Sequence, residues 1–121
     1  MLFHLVGPVP ADLGLSNGAL RNCPTTAHCA SQTWESNNPM AELSRLGELV
    51  QESPRTVVVD QTQTYLHAEA SSAFFGFVDD LELFADRENS QIQARSESRL
   101  GDSDRGVNAA RLAALRSGLE S

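Results

Sequence analysis

From Tyr65 to Arg99 the side chains keep a period of two. That is the repeat of an extended strand, and a helix cannot gather it onto a single face. In 65–71, Leu66, Ala68 and Ala70 alternate with Tyr65, His67 and Glu69. In 76–85, Phe77, Leu81 and Leu83 oppose Val78, Asp80 and Glu82. In 91–99, Ile92 and Ala94 oppose Gln93, Arg95, Glu97 and Arg99. The β-branched run 56–59 supplies a strand ahead of these, and the polar stretches 61–63 and 86–89 read as turns. Connections this short join antiparallel neighbours, so a four-stranded meander is expected, with one apolar and one ionic face.

The apolar face needs a cover. Asn38-Pro39 is an N-cap followed by a first-turn proline, and Met40, Leu43, Leu46 and Val50 follow at helical spacing, with Glu42, Arg45, Glu48 and Glu52 turned outward. Ser53-Pro54 stops that helix after 39–52. A second helix is expected over 107–119, with Leu112, Leu115 and Leu119 on one face. Together these predict an α+β domain over 39–121, with two helices packed on one side of the sheet and the His, Glu, Asp and Arg face left open. Residues 1–38 are rich in Pro, Gly, Asn, Ser and Thr and read as an extended arm, with Leu13, Leu15 and Trp34 as its candidate anchors.

A chain of 121 residues is one compact domain. Its net charge of -7 repels phosphate backbones, which argues against nucleic acid as a partner. All nine basic residues are Arg, the side chain best suited to pairing with carboxylates. No apolar run reaches the length of a membrane span, and MLFHLVGPVP lacks the basic start of a signal peptide, so a cytoplasmic location is expected.

Three groups of residues invite a chemical reading. Cys23 and Cys29 in CPTTAHC fit a short structural disulfide or two quiet thiols better than a zinc site with His28, because no further cysteine completes a tetrahedron. The loop Gly101-Asp-Ser103-Asp-Arg-Gly106 is one residue too long for a hydrolase nucleophile elbow. No histidine follows it either, since the three histidines are His4, His28 and His67. The simpler reading has Ser103 or Asp104 capping the last helix and Arg105 in water. His67 and Glu69, with Asp80, Glu82, Arg95, Glu97 and Arg99, form either a cross-strand lattice of ion pairs or an acid-base site around His67, Glu69 and Asp80. Phe74, Phe75 and Phe77 read chiefly as core, with a contact patch at Phe74 or Phe75 as the alternative.

Three blocks, CPTTAHCASQ, YLHAEASSAFFGFVDDLELF and RSESRLGDSDRGVNAARLAALR, resemble the family catalogued as domain of unknown function 1499, over about residues 11–119 and in the same order. The resemblance singles out Cys23, Cys29, His67, Glu69, Asp79, Asp80, Arg95, Ser96, Ser98, Arg99, Gly101, Ser103, Asp104, Gly106 and Asn108. Two positions depart from the pattern: Glu97 stands where a small residue is common and Asp102 where an aromatic is common. The family is widespread in bacteria and plastid-bearing organisms, many members carry an export or lipid-anchor leader, and no biochemical activity is established for it.

The expectation is therefore a small accessory or binding domain with no cofactor and no metal, monomeric or weakly self-associating. Its partner would be a protein or a small molecule. Its working surface would be the open ionic face and the 95–108 loop: Tyr65, His67, Glu69, Asp80, Arg95, Glu97, Arg99, Ser103, Asp104 and Asn108. The alternative is an enzyme using His67, Glu69 and Asp80.

Overall fold

The structure is a computed structural model that describes residues 7–72, 77–101 and 103–120. His4, Phe74, Phe75 and Asp102, singled out above, lie outside them. In chain order the elements are β1 (Leu15–Ser16), β2 (Ala19–Leu20), β3 (Cys29–Glu35), α1 (Pro39–Glu52), β4 (Thr56–Gln61), β5 (Tyr65–Ser71), β6 (Val78–Asp86), β7 (Gln91–Ser98) and α2 (Val107–Glu120). The α+β class holds, and β4 to β7 form the antiparallel meander.

The main sheet has five strands rather than four, in the order β3-β7-β6-β5-β4. The extra strand, Cys29–Glu35, comes from the stretch expected to be arm, and pairs antiparallel with β7. Two of its residues explain the pairing. Trp34 lies opposite Ile92 and is buried in the core, and Cys29 lies opposite Glu97 and is buried on the other face. Ser31, Thr33 and Glu35 between and beyond them are exposed, which hides the strand's hydrophobic pattern. Helix α1 then carries the chain from this edge of the sheet to the opposite edge, where β4 starts.

The apolar face behaves as the alternation requires. Leu66, Ala68, Leu81, Leu83, Ala85, Ile92 and Ala94 are buried beneath Leu43, Leu46 and Val50 of α1 and Leu112 and Leu115 of α2. The Asn38 side chain accepts a hydrogen bond from the Ala41 amide at the start of α1, and the helix ends at Ser53, whose amide donates to the Val50 carbonyl. Among the described residues no helix is long and apolar enough to cross a membrane.

The opposite face is not open. His67 is 5% exposed, and Asp80, Glu82 and Arg95 are each 1% exposed. The arm covers them. Its hairpin β1–β2 turns on Asn17 and Gly18, both with positive φ (54° and 78°), as a two-residue hairpin turn requires. The Gly14 amide donates to Glu82 Oε2 at 2.7 Å and the Leu20 amide to Gln93 Oε1 at 2.9 Å, so the arm is fastened to the polar side chains of β6 and β7. Further up, Gly7 lies so close to the sheet that a Cβ there would come within 3.0 Å of Leu100 Cγ and 3.3 Å of Arg99 Cβ. Among the described residues of the arm, Leu20, not Leu15, is the buried leucine. Cys23 and Cys29 form a disulfide that ties the end of the arm to the first residue of β3.

Candidate functional site

The polar side chains of β5, β6 and β7 meet because antiparallel register sets them side by side: Glu69 opposite Asp80, Asp80 opposite Glu97, and Glu82 opposite both His67 and Arg95. They sort into two clusters. In the first, Arg99 Nε donates to Asp80 Oδ2 at 2.8 Å, and Arg99 Nη2 donates to Asp80 Oδ1 at 2.9 Å and to Glu69 Oε2 at 2.7 Å. His67 Nε2 lies 2.7 Å from Asp80 Oδ1. Burial alone pushes the Asp80 carboxyl up, but hydrogen bonds from Arg99 and His67 outweigh it and hold Asp80 below the usual carboxylate range. An ionised carboxylate only accepts, so His67 carries its proton on Nε2.

In the second cluster, Tyr65 Oη donates to Glu82 Oε2 at 2.6 Å, and burial and this carboxylate both push the phenol pKa up. Arg95 Nη1 stands 3.8 Å from Glu82 Oε1, and Arg95 Nη2 donates to Glu97 Oε1 at 2.7 Å. His28 Nδ1 is 3.6 Å from Glu97 Oε2. His28 Nδ1 and Arg95 Nε are buried without a hydrogen-bond partner among the described residues. At the turn, Asp86 accepts from the side chains of Asn89, Gln91 and Gln93. The Asn89 hydrogen bond is the main reason that the Asp86 carboxyl sits below its ordinary range.

His67, Glu69 and Asp80 could bring one ligand atom each to within 4.8 Å of one another, a spacing compatible with a metal ion. Arg99 already occupies that role. Its guanidinium bonds both carboxylates, so a metal would have to displace a buried cation and its three hydrogen bonds. The same contacts bear on the acid-base reading, because the carboxylates and the imidazole are committed to one another.

The motif RSESRLGDSDRGVN splits between the two faces of the sheet. Arg95 and Arg99 join the ionic layer, while Ser96 and Ser98 face the helices and meet Asn108, which is fully buried. Ser96 Oγ donates to Asn108 Oδ1 at 2.6 Å; Asn108 Nδ2 lies within hydrogen-bond range of the His28 carbonyl, Ser98 Oγ and Asp104 Oδ2. Arg111 Nη1 completes the group, 2.9 Å from Asp79 Oδ2 and 2.9 Å from Asn108 Oδ1. Asp104 caps α2, accepting from the amides of Gly106 at 2.8 Å and Asn108 at 3.2 Å. Burial would raise its carboxyl, but hydrogen bonds from the Asn108 side chain and those amides hold it low.

These paired blocks, the disulfide, the ionic strands and the Asn108-centred loop, coincide with a known sequence family. The family model described as protein of unknown function (DUF1499) matches residues 16–119. The chain belongs to that family. No curated protein and no solved structure matches it. For this DUF1499 chain, the family's loop motif is a device that locks β7 to α2, and the disulfide removes Cys23 and Cys29 from consideration as zinc ligands.

Of the residues expected at a site, Tyr65, His67, Glu69, Asp80, Arg95, Glu97 and Arg99 lie together under the arm, and Asn108 is buried on the far face. Ser103 and Asp104 instead line a cavity of about 310 Å³, with Ser72, Phe77, Asp79, Ser98, Leu100, Gly101, Arg105 and Val107 around it. Asp79, which the resemblance singles out, pairs here with Arg111, which carries no period-two or capping signal; the pair connects this cavity to the helices across 32 residues of chain.

Proposed function

We propose that this DUF1499 chain is a non-catalytic binding domain, and that it binds its ligand in the cavity between the end of the sheet and the start of α2. The observation that carries this reading is the make-up of that cavity. Leu100 (39% exposed) and Val107 (49% exposed) present apolar surface beside the polar groups of Ser98, Ser103 and Asp104. A concave site of this size, apolar with a few converging polar groups, is the usual form of a small-ligand or peptide-end site. Arg105 stands on its rim with φ +53°, a conformation that costs a non-glycine residue on the order of 1 kcal/mol. Among the described residues its guanidinium makes no hydrogen bond or ion pair.

The loop half of the expected surface is thereby kept and the ionic sheet face becomes its foundation. Support for the non-catalytic side comes from the ionic layer: His67 is buried, is tied to Asp80, and does not line this cavity. The test is a nuclear magnetic resonance titration of the chain with a panel of small aromatic and aliphatic acids, amides and dipeptides. Saturable shifts clustered at Leu100, Ser103, Arg105 and Val107, and lost in Leu100→Asp, are the expected result. Shifts centred on His67, Glu69 and Asp80 would instead revive the acid-base alternative.

A further inference from the structure

A second cavity, of about 210 Å³, opens between α1 and α2. Leu49 and Val50 of α1 and Ala114 and Leu115 of α2 line it, and it reaches Leu81 of β6, which is 1% exposed. It is therefore a slot cut down to the central sheet. Its polar lining is Ser53, Thr56 and Arg111. Both hydroxyls are engaged: Ser53 Oγ donates to the Leu49 carbonyl at 2.9 Å and Thr56 Oγ1 to the Pro54 carbonyl at 3.0 Å.

Arg111 is different. Its contacts with Asp79, Ser96 and Asn108 all go through Nη1. Among the described residues Nε and Nη2 make no hydrogen bond. That leaves one edge of the guanidinium, Nε with Nη2, unused, and this edge presents two parallel N–H donors to a carboxylate. The three contacts on Nη1 fix the planar group in advance, so little side-chain entropy remains to be lost on binding.

We propose that the inter-helix slot binds a small monocarboxylate, with its hydrocarbon part against Leu49, Val50, Leu81 and Leu115 and its carboxylate on the Nε–Nη2 edge of Arg111. The apolar lining selects against wholly polar anions, and the guanidinium selects against amines. Cavities of about 150 Å³ accept a benzene-sized guest, so this one suits an acid of about five to eight carbons. The proposal is independent of the loop cavity, which lies on the other side of the Asp79–Arg111 pair.

The experiment is a titration of the full chain with hexanoate and with benzoate, followed through the methyl resonances of Leu49, Val50, Leu81 and Leu115. Hexanol and hexylamine are the matched controls. Ala114→Trp fills the mouth from an exposed position on α2, so it blocks the slot without disturbing the core. Arg111→Lys keeps the charge and removes the two-donor edge. Hexanoate is expected to shift these methyls saturably, and hexanol, Arg111→Lys and Ala114→Trp each to weaken binding by about tenfold or more, a difference of about 1.4 kcal/mol. Equal binding of hexanoate and hexanol, unchanged binding by Ala114→Trp, or no saturable shift in the wild-type chain overturns the proposal. Shifts confined to Leu100, Ser103 and Val107 overturn it too, while favouring the loop cavity.

Discussion

Arg99 has three carboxylate oxygens within 2.9 Å and its side chain is almost wholly buried. The hydrogen bonds to Asp80 push its guanidinium pKa still higher, so the charge is permanent. Removing it leaves buried Asp80 with His67 as its one side-chain partner among the described residues. Arg99→Met is expected to cost about 3–5 kcal/mol, the range for breaking a buried ion pair. Urea unfolding measures it, and a loss under about 1 kcal/mol, the range of an exposed pair, would show that water reaches the layer. Asn108 plays the same part on the other face, where it is hydrogen-bonded to Ser96, Ser98 and Asp104. Asn108→Ala is expected to cost about 1–3 kcal/mol by leaving buried partners unsatisfied, while Asn108→Asp, which sets a second buried carboxylate against Asp104 where Nδ2 now donates at 2.7 Å, is expected to cost more than Asn108→Ala. Thermal or urea unfolding of the two variants checks that order. At this scale the sequence is legible as far as facing: alternation alone puts Arg95 and Arg99 on the same side of their strand. Which carboxylate each holds is not legible, because cross-strand register settles it.

Among the elements, the arm departs most from what its sequence shows. Asn17-Gly18 is a strong hairpin signal, but its strands, Leu15–Ser16 and Ala19–Leu20, are two residues each and carry no readable alternation. The arm is held by hydrogen bonds to Glu82 and Gln93 and, at its end, by the Cys23–Cys29 disulfide. A loop this short contributes about 2 kcal/mol in the chain-entropy model. Replacing both cysteines by Ser is therefore expected to lower stability by about that amount. Hydrogen exchange should rise at Gly14 and Leu20, whose amides fasten the arm; unchanged protection there would mean that the hairpin holds without the disulfide. Strand Cys29–Glu35 is hidden for a related reason. An edge strand with Ser31, Thr33 and Glu35 in solvent has only Cys29 and Trp34 to mark it.

Over the whole molecule the sheet is a middle layer, with two helices on one face and the arm on the other, and the side chains of His67, Asp80, Glu82, Arg95 and Arg99 are buried between sheet and arm. The consequence is acid sensitivity. Asp80, Asp86 and Asp104 are all held below their ordinary range by the hydrogen bonds they accept. A folded pKa below the unfolded value of about 3.9 means that the unfolded chain binds more protons in that window. The stabilisation is complete above about pH 4 to 5 and is lost as pH falls through the lowered values. The urea midpoint should accordingly be level near neutrality and drop steeply below about pH 4, with a shallower drop in Asp80→Asn; a midpoint indifferent to acid would contradict the buried layer. What the sequence by itself determined was local: strands where side chains alternate, helices where apolar residues recur at 3.6, and the split of polar from apolar side chains across each strand. Tertiary structure alone decided that the polar face is covered, that a fifth strand joins β7, and that Asp79 and Arg111 meet between two cavities. Those outcomes depend on contacts between segments far apart in the chain, and such contacts leave no periodic trace in either segment.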